Sequence, residues 1–364
     1  MKVKMKHIFY LFAILMIPGI AGNANAGAFK LEGKAKPVFV YLGVKNDGGW
    51  VQALDEARQR MEKDLGVKIP YVEKIPEVAS KIKPAVERLI KRDFNIIIGS
   101  AYGYSDALKE LSERHPNVAF LNPAGTTNGP NLQSFYGRTY ESQYLSGIVA
   151  GGLTKTNKIG FVAAHPFGLV TWTVNAYLLG ARKVNPDVTL TVVYTGSWYD
   201  PVKERAAAQA LIEQGIDVIG EHVDTPTPQI VAQEKGVWGT GHHRDMREFA
   251  EKATQSSSIW VWDRYLTPTL KTIIAGNWKT NPWGAFIGIK DGGTDIACCG
   301  SDVPQKVVDL VKAEREAIIN GKHVFEGPIY DQSGKERVPA GKVPSDKDLW
   351  GMNYLVQGVI GKLK

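Results

Sequence analysis

The sequence has few of the residues and motifs that usually mark a catalytic or metal site. Among its 364 residues it contains only two cysteines, and it has no G-x-S-x-G elbow, no H-E-x-x-H helix, no Walker A loop and no complete G-x-G-x-x-G. These motifs supply the nucleophile, the metal ligands or the phosphate-binding turn of many enzymes. Without them catalysis has no recognisable centre, and we expect a protein that is not an enzyme and needs no cofactor.

The two cysteines and a pair of histidines also argue against a metal centre. Cys298 and Cys299 are adjacent, so their Cα atoms are about 3.8 Å apart, closer than the roughly 4.4–6.8 Å of most disulfides. We expect two buried thiols, and a disulfide between them is the alternative in an oxidising compartment. His242 and His243 are adjacent too, and their side chains point to opposite sides of an extended chain. A single histidine that contacts a ligand is the better interpretation.

Long hydrophobic runs are missing except at the N-terminus. Residues 1–26 contain three early lysines, an apolar stretch at 8–20 and an Ala-Asn-Ala sequence at 24–26. This arrangement is typical of a cleaved secretory signal peptide, and the apolar stretch is shorter than the roughly 20 residues that span a bilayer. We therefore predict export, with the mature chain in the periplasm.

Charge of one sign is not concentrated in any part of the chain. There are 44 lysines and arginines against 37 aspartates and glutamates, and the predicted signal peptide removes three of the lysines and no acid. Basic and acidic residues are interspersed along the amphipathic segments, without the basic stripe or the interleaved aromatics of a nucleic-acid surface. Nucleic acid is therefore not expected as a partner.

The segment from Val38 to Trp50 begins the regular pattern of the chain. Its apolar run predicts a strand buried on both faces, and the residues after its polar turn have helical spacing. The alternation of strand and helix continues to about residue 121 and predicts a parallel sheet. A connection rich in glycine and proline at 122–138 precedes a second alternating run. The sequence therefore predicts an α/β protein with two doubly wound lobes and a cleft between their strand ends.

Aromatic side chains are concentrated where the predicted strands end, at Trp50, Tyr102, Trp172, Trp198 and Trp262. Core packing is the alternative interpretation for each of them. Trp50 and Trp198 lie in polar turns, where core packing is harder to arrange because loops run over the surface. One aromatic side chain from each lobe would clamp a flat ring while polar neighbours contact its edge. Replacing Trp50 with alanine is therefore expected to abolish binding and leave the fold intact.

Five motifs in order give the chain a resemblance to a known family. They are NDGGW, GRTYESQYLSGIVAG, VAAHP with the later TWTVNAYLLGAR, GSWYDPVKERAAAQALIEQGIDVI, and IGIKDGGTDIA. With them the chain resembles the basic-membrane-protein (Bmp/PnrA-like) family of ABC-transporter solute-binding proteins over nearly its whole mature length. The resemblance implies a type I periplasmic-binding-protein fold with a three-crossing hinge and a purine nucleoside or nucleobase between the lobes. It also implies an ABC permease as partner and a monomeric protein.

Lobe boundaries follow from this bilobal plan. The expected ranges are 27–138 and about 241–259 for the N-terminal lobe, 139–240 and about 260–345 for the C-terminal lobe, and 346–364 for a tail that packs on the lobes. Segments 286–289 and 294–297 are predicted to form a hairpin.

The resemblance also implies roles for individual residues. Trp50 stands in place of the family's stacking phenylalanine, and Asn46 in place of a base-reading amide. Trp198 takes the aromatic position on the opposite wall, Glu141 that of an acid near the ribose, and Lys290 that of a late lysine near the ligand. The complete set of residues predicted to bind the ligand is Asn46, Asp47, Trp50, Tyr102, Glu141, Trp172, Trp198, Asp224, His242, Trp262, Asp263 and Lys290.

The sequence departs from the family where nucleoside binders carry an acidic, sugar-facing segment. That segment is replaced by GTGHH at 239–243, so a nucleobase or an oxidised purine is at least as good a candidate ligand as a nucleoside. Two other functions stay open. A nucleoside hydrolase would use Glu141 or His242 as its acid or base, and a ligand sensor would dock on a membrane receptor instead of a permease.

Overall fold

The computed structural model describes residues 29–363, so the predicted signal peptide at 1–26 lies outside the described residues. Two large sheets form the centres of two α/β lobes. The predicted fold class, a type I periplasmic-binding-protein fold with two parallel-sheet lobes, is confirmed. No helix within residues 29–363 is long and apolar enough to cross a membrane.

The first lobe begins with the alternating strands and helices that the sequence predicts. In chain order they are β1 (Pro37–Val40), α1 (Trp50–Leu65), β2 (Tyr71–Val72), α2 (Ala79–Ile90), β3 (Ile96–Ile98), α3 (Ser105–Arg114), β4 (Ala119–Pro123) and β5 (Leu132–Gly137). These strands pair in parallel in the order β5, β4, β3, β1, β2. Phe39 belongs to the apolar cluster that contains the buried face of α1, whereas Val38 and Val40 belong to the cluster of α2 and α3. Both faces of β1 are thus covered, as its continuous apolar sequence requires.

The second lobe repeats this pattern. Its elements are α4 (Thr139–Leu153), β6 (Lys158–Ala163), α5 (Gly168–Val184), β7 (Thr189–Tyr194), α6 (Pro201–Glu213), β8 (Val218–His222), α7 (Thr227–Glu234), β9 (Trp238–His243) and β10 (Thr254–Trp260). The strands pair in parallel in the order β10, β9, β8, β6, β7. Helix α6 begins at a clear sequence signal: Asp200 accepts the Lys203 N–H at 3.1 Å, and Pro201 occupies the first helical position.

After β10 the chain returns to both lobes. The remaining elements are α8 (Trp262–Ile274), β11 (Ala285–Ile287), β12 (Thr294–Cys298), α9 (Gln305–Ile319), β13 (Ile329–Tyr330), β14 (Glu336–Val338), α10 (Asp346–Trp350) and β15 (Val359–Ile360). Strand β11 pairs with β5 in the first sheet. Strand β12 runs antiparallel to β10, and β15 runs parallel to β7, in the second sheet. Within residues 29–363 the first sheet therefore has six strands and the second has seven.

The late segments differ from the expected lobe boundaries. Residues 241–259, expected in the N-terminal lobe, contribute to β9 and β10, because β10 continues the hydrogen-bond ladder of the second sheet. Residues 262–287, expected in the C-terminal lobe, supply α8 and β11 to the first lobe. Helix α8 packs on α1, and Asp263 lies 2.7 Å from Arg60 of α1. Sequence periodicity identifies such elements but not the lobe on which they pack.

The hairpin predicted near residue 290 is wrong. Strands β11 and β12 belong to different sheets, so residues 288–293 connect the two lobes. Two other crossings lie beside this one, between β5 and α4 and between β10 and α8. A Cβ on Gly137 would overlap the Trp260 ring and lie 3.0 Å from the Gly293 carbonyl oxygen. A side chain at Gly137 would therefore push the three crossings of the hinge apart.

The C-terminal tail packs mainly on the second lobe. Asn175 of α5 donates to the Tyr354 carbonyl oxygen and accepts the Val356 N–H, both at 2.9 Å. Strand β15 adds an edge to β7. Near the hinge, Arg138 lies 2.7 Å from Asp346 of α10. These contacts place the tail on the outer side of the lobe and beside one crossing.

The two cysteines differ from the expectation of free thiols. Cys298 and Cys299 lie at the end of β12 and are joined as a disulfide. Both are partly exposed and pack against the apolar core of the protein. Neither residue lines the cavities between the lobes.

Candidate functional site

Two neighbouring cavities lie between the lobes, where strands of both sheets end. The inner cavity, of about 60 Å³, is lined by Leu42, Trp50, Glu77, Ser100, Ala101, Tyr102, Ala124, Tyr136, Leu169, Trp198, His222, Asp224 and His243. The outer cavity, of about 480 Å³, is lined by Tyr102, Gly125, Thr126, Asn128, Ser134, Phe135, Tyr136, Phe167, Gly168, Leu169, Trp283, Gly284, Ala285, Phe286 and Trp350. The two share Tyr102, Tyr136 and Leu169. Open α/β sheets bind their ligands at this edge.

Trp50 forms part of the inner cavity wall on the first lobe. It begins α1 directly after the loop that follows β1, and only 7% of its surface is exposed. Its Nε1–H donates to the Ser100 carbonyl oxygen at 2.7 Å, which joins the loops after β1 and β3. The ring also meets Trp260 and His243 edge-on, with centroids 5.5 and 5.9 Å apart. Trp50 is therefore both a cavity wall and a packed residue between the lobes.

Asp47 caps α1 and does not line the inner cavity. Its Oδ1 accepts the N–H groups of Gly49 and Gln52 at 2.9 and 3.0 Å, and its Oδ2 accepts that of Val51 at 2.9 Å. Burial raises the pKa of Asp47 to about 6, and the negative charge of Asp224 adds to the increase. A helix cap takes the place of the predicted ligand contact, because three backbone N–H groups already occupy this carboxylate.

Trp198 lines the same cavity from the second lobe. It follows β7, and its ring contacts those of His165 and His222, with centroids 5.1 and 6.2 Å away. Its carbonyl oxygen accepts the Asp224 N–H at 2.7 Å, which holds the loops after β7 and β8 side by side. Trp50 and Trp198 therefore line one cavity from opposite lobes. That either ring stacks on a ligand stays a prediction.

Asp224 and His243 form the most polar part of the inner cavity. The Trp260 Nε1–H donates to His243 Nδ1 at 2.8 Å, so the imidazole carries its proton on Nε2. Nε2 lies 3.0 Å from Asp224 Oδ1 but is not aligned for a hydrogen bond. Only 9% of Asp224 and 2% of His243 are exposed. Within residues 29–363 the Asp224 carboxylate accepts no hydrogen bond and has only this histidine as a close partner.

The lobes touch beside this pair. A Cβ on Gly49 would overlap the Asp224 carbonyl oxygen, so the loop before α1 and the loop after β8 meet where a larger residue does not fit. Farther out, Arg244 after β9 donates from Nε and Nη2 to Glu56 of α1, at 2.9 and 2.6 Å. Only 10% of the Arg244 side chain is exposed. These contacts between the lobes define a closed arrangement.

Of the neighbouring histidines, His222 lines the inner cavity and His242 does not. His222 Nδ1 lies 3.0 Å from Thr173 Oγ1, and His242 Nδ1 lies 3.3 Å from Gln143 Nε2. Burial holds the pKa of both imidazoles well below the usual range, so both are neutral. His243, and not the predicted His242, lines the cavity. The two rings do not face opposite sides as the extended-chain argument expects, because His243 has a positive φ of 71° at the end of β9, and the ring centroids lie 4.1 Å apart. Residues 29–363 contain no group of side chains arranged to hold a metal ion.

Two predicted tryptophans are core residues. Trp172 is fully buried, donates from Nε1 to Thr139 Oγ1 at 2.9 Å and packs on Trp350 with ring centroids 5.0 Å apart. Trp262 is also fully buried and stacks on Trp260, with centroids 4.3 Å apart. Both follow strand ends in sequence, but the helices α5 and α8 on which they lie direct them into the packing around the hinge.

Four other predicted residues lie outside the inner cavity. Asn46 and Lys290 are exposed, and Asp263 is held in its ion pair with α1. Glu141 accepts the Ile289 N–H at 2.7 Å, which ties α4 to the third crossing. Burial raises the pKa of Glu141 to about 7. The first turn of α4 therefore faces the hinge, and this acid supports the crossing instead of the cavity.

Nine lining residues of the inner cavity are absent from the predicted set, and three of them carry a signal in the sequence. Ser100, His222 and His243 stand at the ends of β3, β8 and β9 or within two residues after them. Counting polar strand-end residues together with aromatic ones would have found them. Tyr136 lies within β5, where nothing local indicates that its ring reaches the cleft. From the predicted set the inner cavity brings together Trp50, Tyr102, Trp198 and Asp224.

Comparison with known families agrees with this geometry. A family model described as ABC transporter substrate-binding protein PnrA-like (Bmp) matches residues 34–333. The chain belongs to this PnrA-like family. The match includes strands of both lobes and all three hinge crossings, and it confirms the resemblance recognised from the sequence motifs. Membership makes the chain a substrate-binding protein of an ABC transporter, with a small molecule as its ligand and the transporter as its partner.

The relatives of this PnrA-like protein have names that give different ligands. It is 32% identical over 353 residues to a purine-binding protein of Brucella abortus, covering 96% of this chain and 99% of the relative. It is 34% identical over 301 residues to a putative ABC transporter glucose-binding protein of Haloferax volcanii, covering 82% and 76%. A solved solute-binding protein of an ABC transporter system from Aeropyrum pernix aligns with a TM-score of 0.69 at 16% identity, over 87% of this chain and 96% of that one, and this likeness shows the fold alone.

Proposed function

We propose that this substrate-binding protein binds a planar purine-type ring in its inner cavity and delivers it, as a periplasmic monomer, to an ABC permease. The observation that carries the proposal is that Trp50 and Trp198 line one cavity from opposite lobes. A ring between them would bury its two faces, and each aromatic pair contributes about 0.5–1.5 kcal/mol beyond area burial. Closure of the lobes would then be coupled to binding.

The small inner cavity favours a base over a nucleoside. Its volume is about 60 Å³, less than the roughly 150 Å³ of a cavity that binds benzene. A bicyclic base would therefore extend towards the outer cavity or require the lobes to move apart, and an attached sugar would need still more of that space. The name of the Brucella relative is in keeping with a purine ring as ligand.

The hydrolase alternative has less support from the geometry. Neither of the groups considered for it, Glu141 and His242, lines the inner cavity. Glu141 accepts a backbone N–H at the hinge, and His242 faces Gln143. Incubation of the purified protein with nucleosides is expected to release no base. Release in proportion to protein concentration would favour the enzyme instead.

Isothermal titration with hypoxanthine, adenine, adenosine and urate tests the binding proposal. We expect at least one of these compounds to bind with one-to-one stoichiometry, and Trp198→Ala to weaken that binding at least tenfold. Trp238→Ala is the matched control, because Trp238 lies at the opposite end of a strand of the second sheet and outside both cavities. No heat with any of the four compounds would refute the purine proposal and leave the family membership standing.

A further inference from the structure

We propose that Asp224 makes the inner cavity select rings that carry positive charge or present N–H donors, and reject anionic rings. The inference rests on the proposed ring-binding function and adds the charge of the ligand to it. Urate is an anion at neutral pH, so it would be a poor ligand. Neutral bases with an amino group or ring N–H groups, such as adenine and hypoxanthine, would be good ones.

The inner cavity contains carboxylates without a compensating cation. Among the residues of the described chain, 29–363, its wall includes Asp224 and Glu77 and neither lysine nor arginine. Glu77 stands at the exposed rim, where its Oε1 accepts the Gly103 N–H at 2.8 Å. Asp224 is the buried one, with 9% of its surface exposed. The charge inside the cavity is therefore mainly that of Asp224.

His243 does not neutralise this charge. Its Nδ1 accepts the Trp260 Nε1–H, and an imidazole that accepts at one nitrogen and carries its proton on the other has no net charge. Its Nε2, 3.0 Å from Asp224 Oδ1, is not aligned to donate to that oxygen. No hydrogen bond from His243 therefore occupies the Asp224 carboxylate, and its acceptor positions stay free for a ligand.

The nearby helix N-termini provide little positive charge that could stabilise a bound anion. The N-terminus of α1 is already occupied by the Asp47 carboxylate. Helix α5 begins at Gly168, next to Leu169 in the cavity wall, but a helix end is equivalent to only about half a charge, and its effect falls off within the first turn. The charge of Asp224 also reaches across the lobes, because it adds to the increase in the pKa of Asp47.

The aromatic walls favour the same kind of ligand. The faces of Trp50 and Trp198 carry the negative part of the ring quadrupole, which attracts cations. A ring held against them can direct an N–H group, or a pair of them, at the two oxygens of Asp224. Hydrogen bonds from N–H donors to a carboxylate are shorter and stronger than those between neutral groups. An anionic ring would be repelled by the carboxylate and would gain neither the attraction to the aromatic faces nor the charge-assisted hydrogen bonds.

Titration of the full mature chain with adenine, hypoxanthine and urate at pH 7.4 tests the inference. The tighter of the two neutral bases is expected to bind at least tenfold more strongly than urate, a difference of about 1.4 kcal/mol. Asp224→Asn keeps the shape of the side chain and removes its charge. We expect this variant to reduce the ratio of the affinity for the neutral base to the affinity for urate at least fivefold. Asp64→Asn is the matched control, since Asp64 is exposed near the far end of α1, about 21 Å along the helix from Trp50.

The outcomes separate this inference from the function on which it rests. No heat for any purine would overturn both. Urate binding as tightly as the neutral bases, or tighter, would overturn the inference alone, and this ratio is measured on the unmodified protein even where Asp224→Asn does not fold. A folded Asp224→Asn protein with an unchanged ratio would likewise show that Asp224 does not select the ligand. Circular dichroism of both variants checks the fold.

Discussion

Replacing Trp50 with alanine should reduce both the stability of the protein and its affinity for a ring ligand. The side chain is 7% exposed, packs edge-on against Trp260 and Trp262, and donates to the Ser100 carbonyl oxygen. Truncating a packed aromatic residue costs about 3–5 kcal/mol of unfolding free energy, and an orphaned buried acceptor costs about 1–3 kcal/mol. Because the two effects overlap at one site, we expect a total loss of about 3–5 kcal/mol. The expectation from sequence, that the fold would be untouched, does not fit this burial.

A second variant separates packing from ligand contact. Trp50→Phe keeps an aromatic face in the cavity wall and removes the donor to Ser100. We expect it to lose about 1–3 kcal/mol of stability, since one buried hydrogen bond and part of the ring area disappear, and to bind adenine less than tenfold more weakly. Trp238→Phe, the same replacement outside the cavities, serves as control.

Urea denaturation followed by circular dichroism and titration calorimetry measure the two effects. An unchanged unfolding free energy for Trp50→Ala would mean that the indole does not pack between the lobes as described. A stable Trp50→Ala protein with the affinity of the unmodified chain would mean that the ligand lies elsewhere.

Three further predictions concern closure and the hinge. Arg244→Gln breaks the ion pair with Glu56 between the lobes and should weaken ligand binding up to tenfold. Arg205→Gln, which breaks an ion pair within the second lobe, is the control and should leave the affinity unchanged. Equal losses of affinity in the two variants would show that the Arg244–Glu56 pair does not stabilise the closed arrangement. Gly49→Ala should prevent full closure, because the new Cβ meets a carbonyl oxygen of the other lobe. In small-angle scattering with ligand, the variant should have a larger radius of gyration than the unmodified protein, and equal values would contradict this prediction. Glu141, with its pKa raised to about 7, favours the folded state at low pH and loses that contribution as the pH rises through about 7. The unfolding free energy of the unmodified protein should therefore fall by about 1–3 kcal/mol more between pH 5 and pH 8 than that of Glu141→Gln. Urea denaturation at both pH values measures this difference. An equal fall in the two proteins would contradict the raised pKa of Glu141.

The sequence predicted the candidate site in part. Trp50, Tyr102, Trp198 and Asp224 were within its reach because each follows a strand and parallel strands end at a common edge. Trp172 and Trp262 satisfy the same rule but lie on helices that direct them inward, and the rule contains no information on side-chain direction after a turn. Tyr136 was missed because it reaches the cleft from within a strand.

Local sequence determined the elements and the order of the two alternating runs, since burial on two faces and helical spacing are recorded in neighbouring residues. It also placed one tryptophan on each side of the predicted cleft. Only the tertiary structure decided that α8 and β11 return to the first lobe, that residues 288–293 form a crossing and that His243, not His242, reaches Asp224. These outcomes depend on which distant strand or helix completes a sheet or a packed face, and no short stretch of sequence contains that partner.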